Sequence, residues 1–239
     1  MSRSGAVLLH GKWDTPDGAI APLADALTEI GLKVRRPHCC WSPRRHYDID
    51  FAQAVAEVSA ALDELRADGC GFVLLGGHSL GANAALAAAS TGAAADALLL
   101  IAPGHRPERL HAQGLTRDAI ARVRTADPDR RLRLPDFNQG RCRLLRFRPA
   151  VWWSFFDPDG MAVLARSARR LRPPRPVLWL DAGLPDGSAG AVDDAFDLLP
   201  PHPQNLAVTL DGSHDTAPAA AVDRTIRWLN SLEARPWTT

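Results

Sequence analysis

No stretch of this 239-residue chain comes near the roughly eighteen consecutive apolar residues that a membrane-spanning helix needs, so no membrane span is expected. The apolar run Ala6 to Leu9 is far too short for the core of an export signal, and a cytoplasmic location is the expectation. Cysteine is sparse. Cys39, Cys40, Cys70 and Cys142 form no CxxC pair and no metal-like spacing with histidine, which speaks against a zinc site or a disulfide framework. The adjacent Cys39 and Cys40 read as ordinary reduced thiols. Neither a metal nor an organic cofactor is implied. Net charge is also nearly absent, at +1, so the basic signature of nucleic-acid binding is missing. There is no internal repeat and no low-complexity linker.

Apolar residues make up 46% of the chain and charged residues 23%, the balance of a globular protein with enough length to bury a large core. The charge is unevenly spread. Residues 105–148 hold twelve arginines against five acidic residues. This excess reads first as a solvated, arginine-rich excursion, and second as a surface for anionic substrates or partners.

Along the chain, short apolar runs alternate with amphipathic stretches. Gly5 to Leu9, Leu32 to Pro37, Phe72 to Leu75, Ala97 to Ala102, Val177 to Leu180 and Leu206 to Leu210 read as strands. Between them, helices are expected over Ile20–Ile30, over the stripe Phe51, Val55, Val58, Leu62 and Leu65, over Ala82–Ser90, and over residues 188–198. The last helix carries Val222, Ile226, Leu229 and Leu232, with Pro218 in its first turn. Continuous apolar strands alternating with helices indicate an α/β fold, a mainly parallel sheet of about six strands covered on both faces. The rhythm breaks over about 104–172, read as a short helical lid inserted into a single domain spanning 1–239. Helices are expected there near 116–125 and 159–171, with irregular chain over 126–150.

Gly77-His78-Ser79-Leu80-Gly81 follows an apolar strand and opens an alanine-rich helix. A Gly-x-Ser-x-Gly pentapeptide alone would arise by chance in a chain of this length on the order of one time in ten. Its strand-to-helix setting is what gives it weight, because a serine on so tight a turn needs glycine neighbours and exposes its hydroxyl. Ser79 is therefore the candidate nucleophile. His214, in Leu210-Asp-Gly-Ser-His214 after the last strand, is the candidate base. The acceptor that fixes its tautomer is expected to be Asp186, with Asp181 at the strand end as competitor. Two N–H donors are needed for a tetrahedral intermediate. One is expected from Leu80, and the other from Lys12, with Trp13 second. His10 and His78 read as structural.

The order Ser, Asp, His, together with His10-Gly11, Gly77 to Gly81, Gly183-x-x-Asp186 and Gly212-Ser-His214, resembles the α/β-hydrolase superfamily, over almost the whole chain. The segments Pro103-Gly-His105, Asp136 to Arg141 and Phe155 to Gly160 are similar to small bacterial-type members with a short lid. The resemblance implies a Ser-His-Asp triad and an acyl-enzyme route. The expected activity is cleavage of a small carboxylic ester or thioester, with a small acyl compound as the partner. The alternative is a non-hydrolytic ligand- or partner-binding protein on the same fold. Trp13, Trp152, Trp153 and Phe156 are expected to line the substrate pocket, with Phe155 and Trp41 near it, while Trp152, Trp153, Phe155 and Phe156 read equally as the core of the lid. Arg141 reads as a surface or structural ion-pair residue first and as a contact for an anionic substrate group second. The sequence assigns no oligomeric state.

Overall fold

The computed structural model describes residues 3–183 and 194–232. β1 (Arg3–Leu9) is followed by α1 (Ala21–Glu29), β2 (Lys33–Arg35) and α2 (Phe51–Ala67). β3 (Cys70–His78), α3 (Leu80–Ser90) and β4 (Ala97–Ile101) complete the first half. An insertion carries α4 (Pro107–Ala112), α5 (Arg117–Arg124), β5 (Leu132–Asn138), β6 (Arg141–Phe147), α6 (Pro149–Phe156) and α7 (Leu164–Arg170). β7 (Val177–Ala182), β8 (Leu206–Leu210), α8 (Ala217–Ala220) and α9 (Val222–Leu232) close the fold.

Six strands form one sheet in the order β2-β1-β3-β4-β7-β8, with every pairing parallel. The strands are apolar at successive positions because both faces are covered. Val7, Leu9, Val73, Leu75, Leu98, Leu100 and Trp179 belong to a core built with α2 and α3. Ala6, Leu8, Leu74, Leu99, Leu178 and Leu180 face the other way, against residues of α1 and α9. The expected stripe of α2 is buried, and Asp50 and Gln53 form a reciprocal capping box at its start. Such a cap contributes about 1 kcal/mol. α3 is buried from Leu80 to Ala89. Its alanines let it pack closely against the sheet, α2 and α7.

The insertion departs from a purely helical lid. Residues 126–150, expected to be irregular, contain the antiparallel hairpin β5–β6, in register from Leu132↔Phe147 to Asn138↔Arg141. Its two-residue turn is Gln139-Gly140, with φ of 48° and 72°. Positive φ at both central residues is the turn that matches strand twist. Two features hid it from the sequence pattern. Pro135 sits within β5, and β6 is largely exposed and arginine-rich, so neither strand reads as a buried apolar run. The aromatic cluster Trp152 to Phe156 is itself helical, in α6, and the following helix is shorter than expected. Of the helix expected over 188–198, residues 188–193 lie outside the described residues, and Phe196–Leu198 form a single 3-10 turn. The last helix is two, α8 with Pro218 and α9.

Candidate active site

Of the residues singled out from the sequence, Lys12, Trp13, Ser79, Leu80 and His214 come together beyond the carboxyl ends of β1, β3 and β8, where ligands of parallel sheets bind. Ser79 joins β3 to α3 with φ 56° and ψ −123°. That region is sparsely populated for a residue with a side chain, at a cost of roughly 1–3 kcal/mol. The surroundings hold it there. Ser79 N–H donates to the Ile101 carbonyl at 2.9 Å, which ties the elbow to β4. A Cβ at Gly77 would stand 2.3 Å from the Gly81 carbonyl group, and one at Gly81 would stand 2.5 Å from the Leu9 oxygen. Both glycines of the pentapeptide are therefore steric requirements of the turn.

His214 lies beside the serine. A methyl group placed on Gly104 would stand 3.2 Å from His214 Cε1 and 3.5 Å from Ser79 Oγ, so the two side chains flank one point. His214 Nε2 is buried and has no hydrogen-bond partner among the described residues. Burial lowers the His214 pKa below its ordinary 6.5, against an opposing pull from Asp215. The ring is thus neutral at neutral pH and able to take a proton. His78 packs on it, with ring centroids 4.7 Å apart, and its Nε2 meets the His214 carbonyl oxygen at 2.9 Å. Burial and the neighbouring His214 bring the His78 pKa down to about 3, which suits a structural role.

Among the described residues, neither the N–H of Leu80, which opens α3, nor that of Lys12 has an acceptor. The N–H of Trp13 is committed to the Trp41 carbonyl at 3.3 Å. Of the two donors considered in this loop, Lys12 is the one left available. His10 shapes the same loop. Its Nδ1 meets the Gly11 oxygen at 2.8 Å, and its Nε2 accepts from Cys39 N–H at 3.1 Å. Both ring nitrogens are thereby occupied. Cys39 and Cys40 are buried, and burial raises both thiol pKa values, so neither is an activated nucleophile.

The model of a family described as the alpha/beta hydrolase family matches residues 6–235. The chain belongs to the alpha/beta hydrolase family. No curated protein sequence matches it. Solved structures do. A soluble variant of monoglyceride lipase from Saccharomyces cerevisiae, in complex with a substrate analogue, is 17% identical, with 99% of this chain and 88% of that chain covered and a TM-score of 0.67. Est1E from Butyrivibrio proteoclasticus is 15% identical, covering 95% and 89%, with a TM-score of 0.61. The esterase domain of a Rhodothermus marinus protein is 20% identical, covering 95% and 87%, with a TM-score of 0.59. Similarity at these identities is similarity of fold.

In this alpha/beta hydrolase, Asp186 lies outside the described residues. Its competitor Asp181, at the end of β7, accepts a hydrogen bond from Trp179 Nε1 at 3.1 Å and sits in the field of Arg106. Burial raises its pKa. Asp181 is not among the charges that act on His214, where Asp215 is.

Two cavities meet at Ser79, of about 370 Å³ and about 520 Å³, and both also touch Lys12, Asn138 and Gln139. The hairpin turn therefore roofs the serine. Trp13 lines the smaller cavity, but Trp152, Trp153 and Phe156 line neither. The reason is packing. Trp152 stacks on Phe156 at 4.8 Å, and its Nε1 donates to the Pro135 carbonyl at 2.8 Å. Trp152, Phe155 and Phe156 are fully buried, and Trp153 packs against the same core. They form the insertion's own hydrophobic centre and hold the hairpin over the site.

Asp136 was legible in the sequence only as part of a family-like stretch. It is fully buried and accepts three hydrogen bonds of 2.6 Å, from Lys12 Nζ, Trp13 Nε1 and Tyr47 Oη. Lys12 Nζ also donates to the Phe137 carbonyl at 3.0 Å and lies 3.4 Å from His105 Nδ1. An ion pair with 2% and 0% side-chain exposure thus ties the loop that bears the Lys12 N–H to the hairpin above it.

Proposed function

We propose that this chain is a serine hydrolase that cleaves a small carboxylic ester or thioester through an acyl-enzyme on Ser79. One observation carries the reading. The Ser79 hydroxyl, on its constrained elbow, shares its cavities with Leu80 and Lys12, whose N–H groups have no acceptor among the described residues, and with a neutral histidine whose Nε2 has no partner among them. The fold it shares with proteins described as lipases and esterases supports the same assignment.

In the proposed reaction, His214 Nε2 takes the Ser79 proton as Oγ attacks the acyl carbon. The carbonyl oxygen becomes an oxyanion held by the N–H groups of Leu80 and Lys12, with the positive end of α3 behind it. The bond to the leaving oxygen or sulfur then breaks, and that atom takes the proton from His214. Water attacks the acyl-enzyme, gives its proton to His214, and frees the acid as Ser79 recovers its hydrogen. Asp186 is assigned to accept a hydrogen bond from the Nδ1–H of His214 while staying ionised, since Asp181 is engaged by Trp179 and Arg106.

Intact-mass measurement after fluorophosphonate treatment tests the reading. One adduct is expected on the wild type and none on Ser79→Ala, which should also lose about a thousandfold or more in kcat on any ester turned over. A folded wild type that takes no adduct sinks the proposal. In that event a ligand-binding protein without turnover becomes the better account. The observation in its favour is that no hydrogen bond joins Ser79 Oγ to His214 among the described residues. Such contacts commonly form only once substrate is bound.

A further inference from the structure

The two cavities that meet at Ser79 differ in chemistry. The larger presents Leu80, Leu110, Leu115 and Phe137, and its two arginines are engaged by acids, Arg109 with Asp194 at 3.7 Å and Arg106 in the field of Glu108. The smaller presents His78, His214, Arg141 and Arg143, and it alone of the two is lined by His214. In acyl transfer the leaving atom takes its proton from the general acid, so the leaving group occupies the cavity that His214 lines. The acyl chain then lies in the apolar one.

Arg141 and Arg143 stand two residues apart on β6 and so share one face of the hairpin. Neither has a carboxylate partner among the described residues, although each is a side chain that readily finds one. Arg143 is stacked over Trp13, its guanidinium carbon 4.1 Å from the ring centroid, and that indole is pinned by Asp136. Stacking fixes the guanidinium plane and leaves its N–H edge open, the geometry that receives a planar or tetrahedral oxyanion in a bidentate grip. Two carboxylates border the same cavity and are engaged elsewhere. Asp215 accepts from Gln139 Nε2 at 2.7 Å, and Asp14 from the Ala19 N–H at 3.1 Å. Lys12, the third cation, is neutralised by Asp136.

We infer that the substrate is an ester of an apolar acyl group with an alcohol that carries an anionic group, a carboxylate or a phosphate, held by Arg141 and Arg143. This rests on the serine-hydrolase reading of Ser79. It also gives the arginine-rich insertion a purpose, since the hairpin brings two of its charges to the mouth of the site.

The test compares hexanoyl esters of three phenols of one shape: para-hydroxybenzamide, para-hydroxybenzoate and para-hydroxyphenyl phosphate. The wild type is expected to favour at least one anionic ester over the amide by about tenfold or more in kcat/KM, the range of a charge-assisted pair. The two anionic arms tell carboxylate from phosphate. The preference should shrink with added salt, because both arginines are exposed. In the Arg141→Gln/Arg143→Gln double variant the ratio should fall close to one, and the corresponding double lysine variant should keep part of it. Using the ratio removes any general loss of activity. Equal rates on all three esters, or a preference that survives the double glutamine variant, overturn the inference. Fluorophosphonate labelling of the same preparations separates the two failures. A labelled Ser79 without anion preference overturns this inference alone, whereas an unlabelled Ser79 overturns the hydrolase reading and this one with it.

Discussion

At the scale of single residues, Asp136 and Lys12 carry the sharpest consequences. Two opposite charges buried together lose their hydration and depend on each other for compensation. Asp136→Asn keeps the volume but leaves the Lys12 ammonium without a counter-charge. Urea denaturation should register a loss of roughly 3–5 kcal/mol for that substitution. If the variant is as stable as the wild type, the pair is not the clamp described here. A second residue-scale expectation concerns His214. Protonation removes its capacity as a base, and burial makes that protonation harder. The acidic limb of kcat/KM against pH is therefore expected below 6.5, the ordinary value for histidine. A limb at or above that value would mean that the carboxylates paired with the ring outweigh its burial.

At the scale of elements, the β5–β6 hairpin is what turns an open sheet end into two cavities. It reaches across the site through few contacts at its tip. Asn138 Nδ2 donates to the Lys12 carbonyl at 3.2 Å, and Gln139 Nε2 to Asp215. Its base is held far more firmly, by the buried Leu134, Asp136 and Phe147. Removing both tip contacts with Asn138→Ala/Gln139→Ala should therefore loosen the turn and leave the core intact. Hydrogen exchange should accelerate at residues 138–142, while the amides of β3 and β4 keep their protection. Acceleration throughout the sheet would mean that the tip contacts support the whole fold.

At the scale of the molecule, stability should depend on pH through its buried histidines. Burial lowers the pKa of His10, His78, His105 and His214 in the folded chain. The unfolded chain therefore binds more protons below about 6.5, and folding weakens as pH falls. For His78 the loss should continue down to about 3, where the folded ring also titrates. Calorimetry across this range should show Tm falling, with a shallower fall in His78→Gln. A flat profile between pH 6.5 and 4 would indicate that these rings are solvated in the native state.

The chemistry of short-range order was legible in the residues alone. Apolar runs of strand length and the small residues around Ser79 each express a local steric or hydrophobic rule, so the parallel sheet and the strand-to-helix turn at Ser79 could be read directly. The insertion could not be read in the same way. Gln139-Gly140 is a weak turn signal, and β6 is a largely exposed, arginine-rich strand, so the hairpin owes more to the packing of α6 against Pro135 and Phe137 than to its own pattern. The same reason governs the pocket. Trp152 and Phe156 are aromatic residues in an inserted segment, which is how both a ligand wall and a lid core look in sequence. Only the packing of α6 against Pro135 and Phe137 assigns them to the core. The roles of Asp136, Arg141 and Arg143 likewise depend on contacts between residues far apart in the chain, and such contacts are set by the tertiary fold.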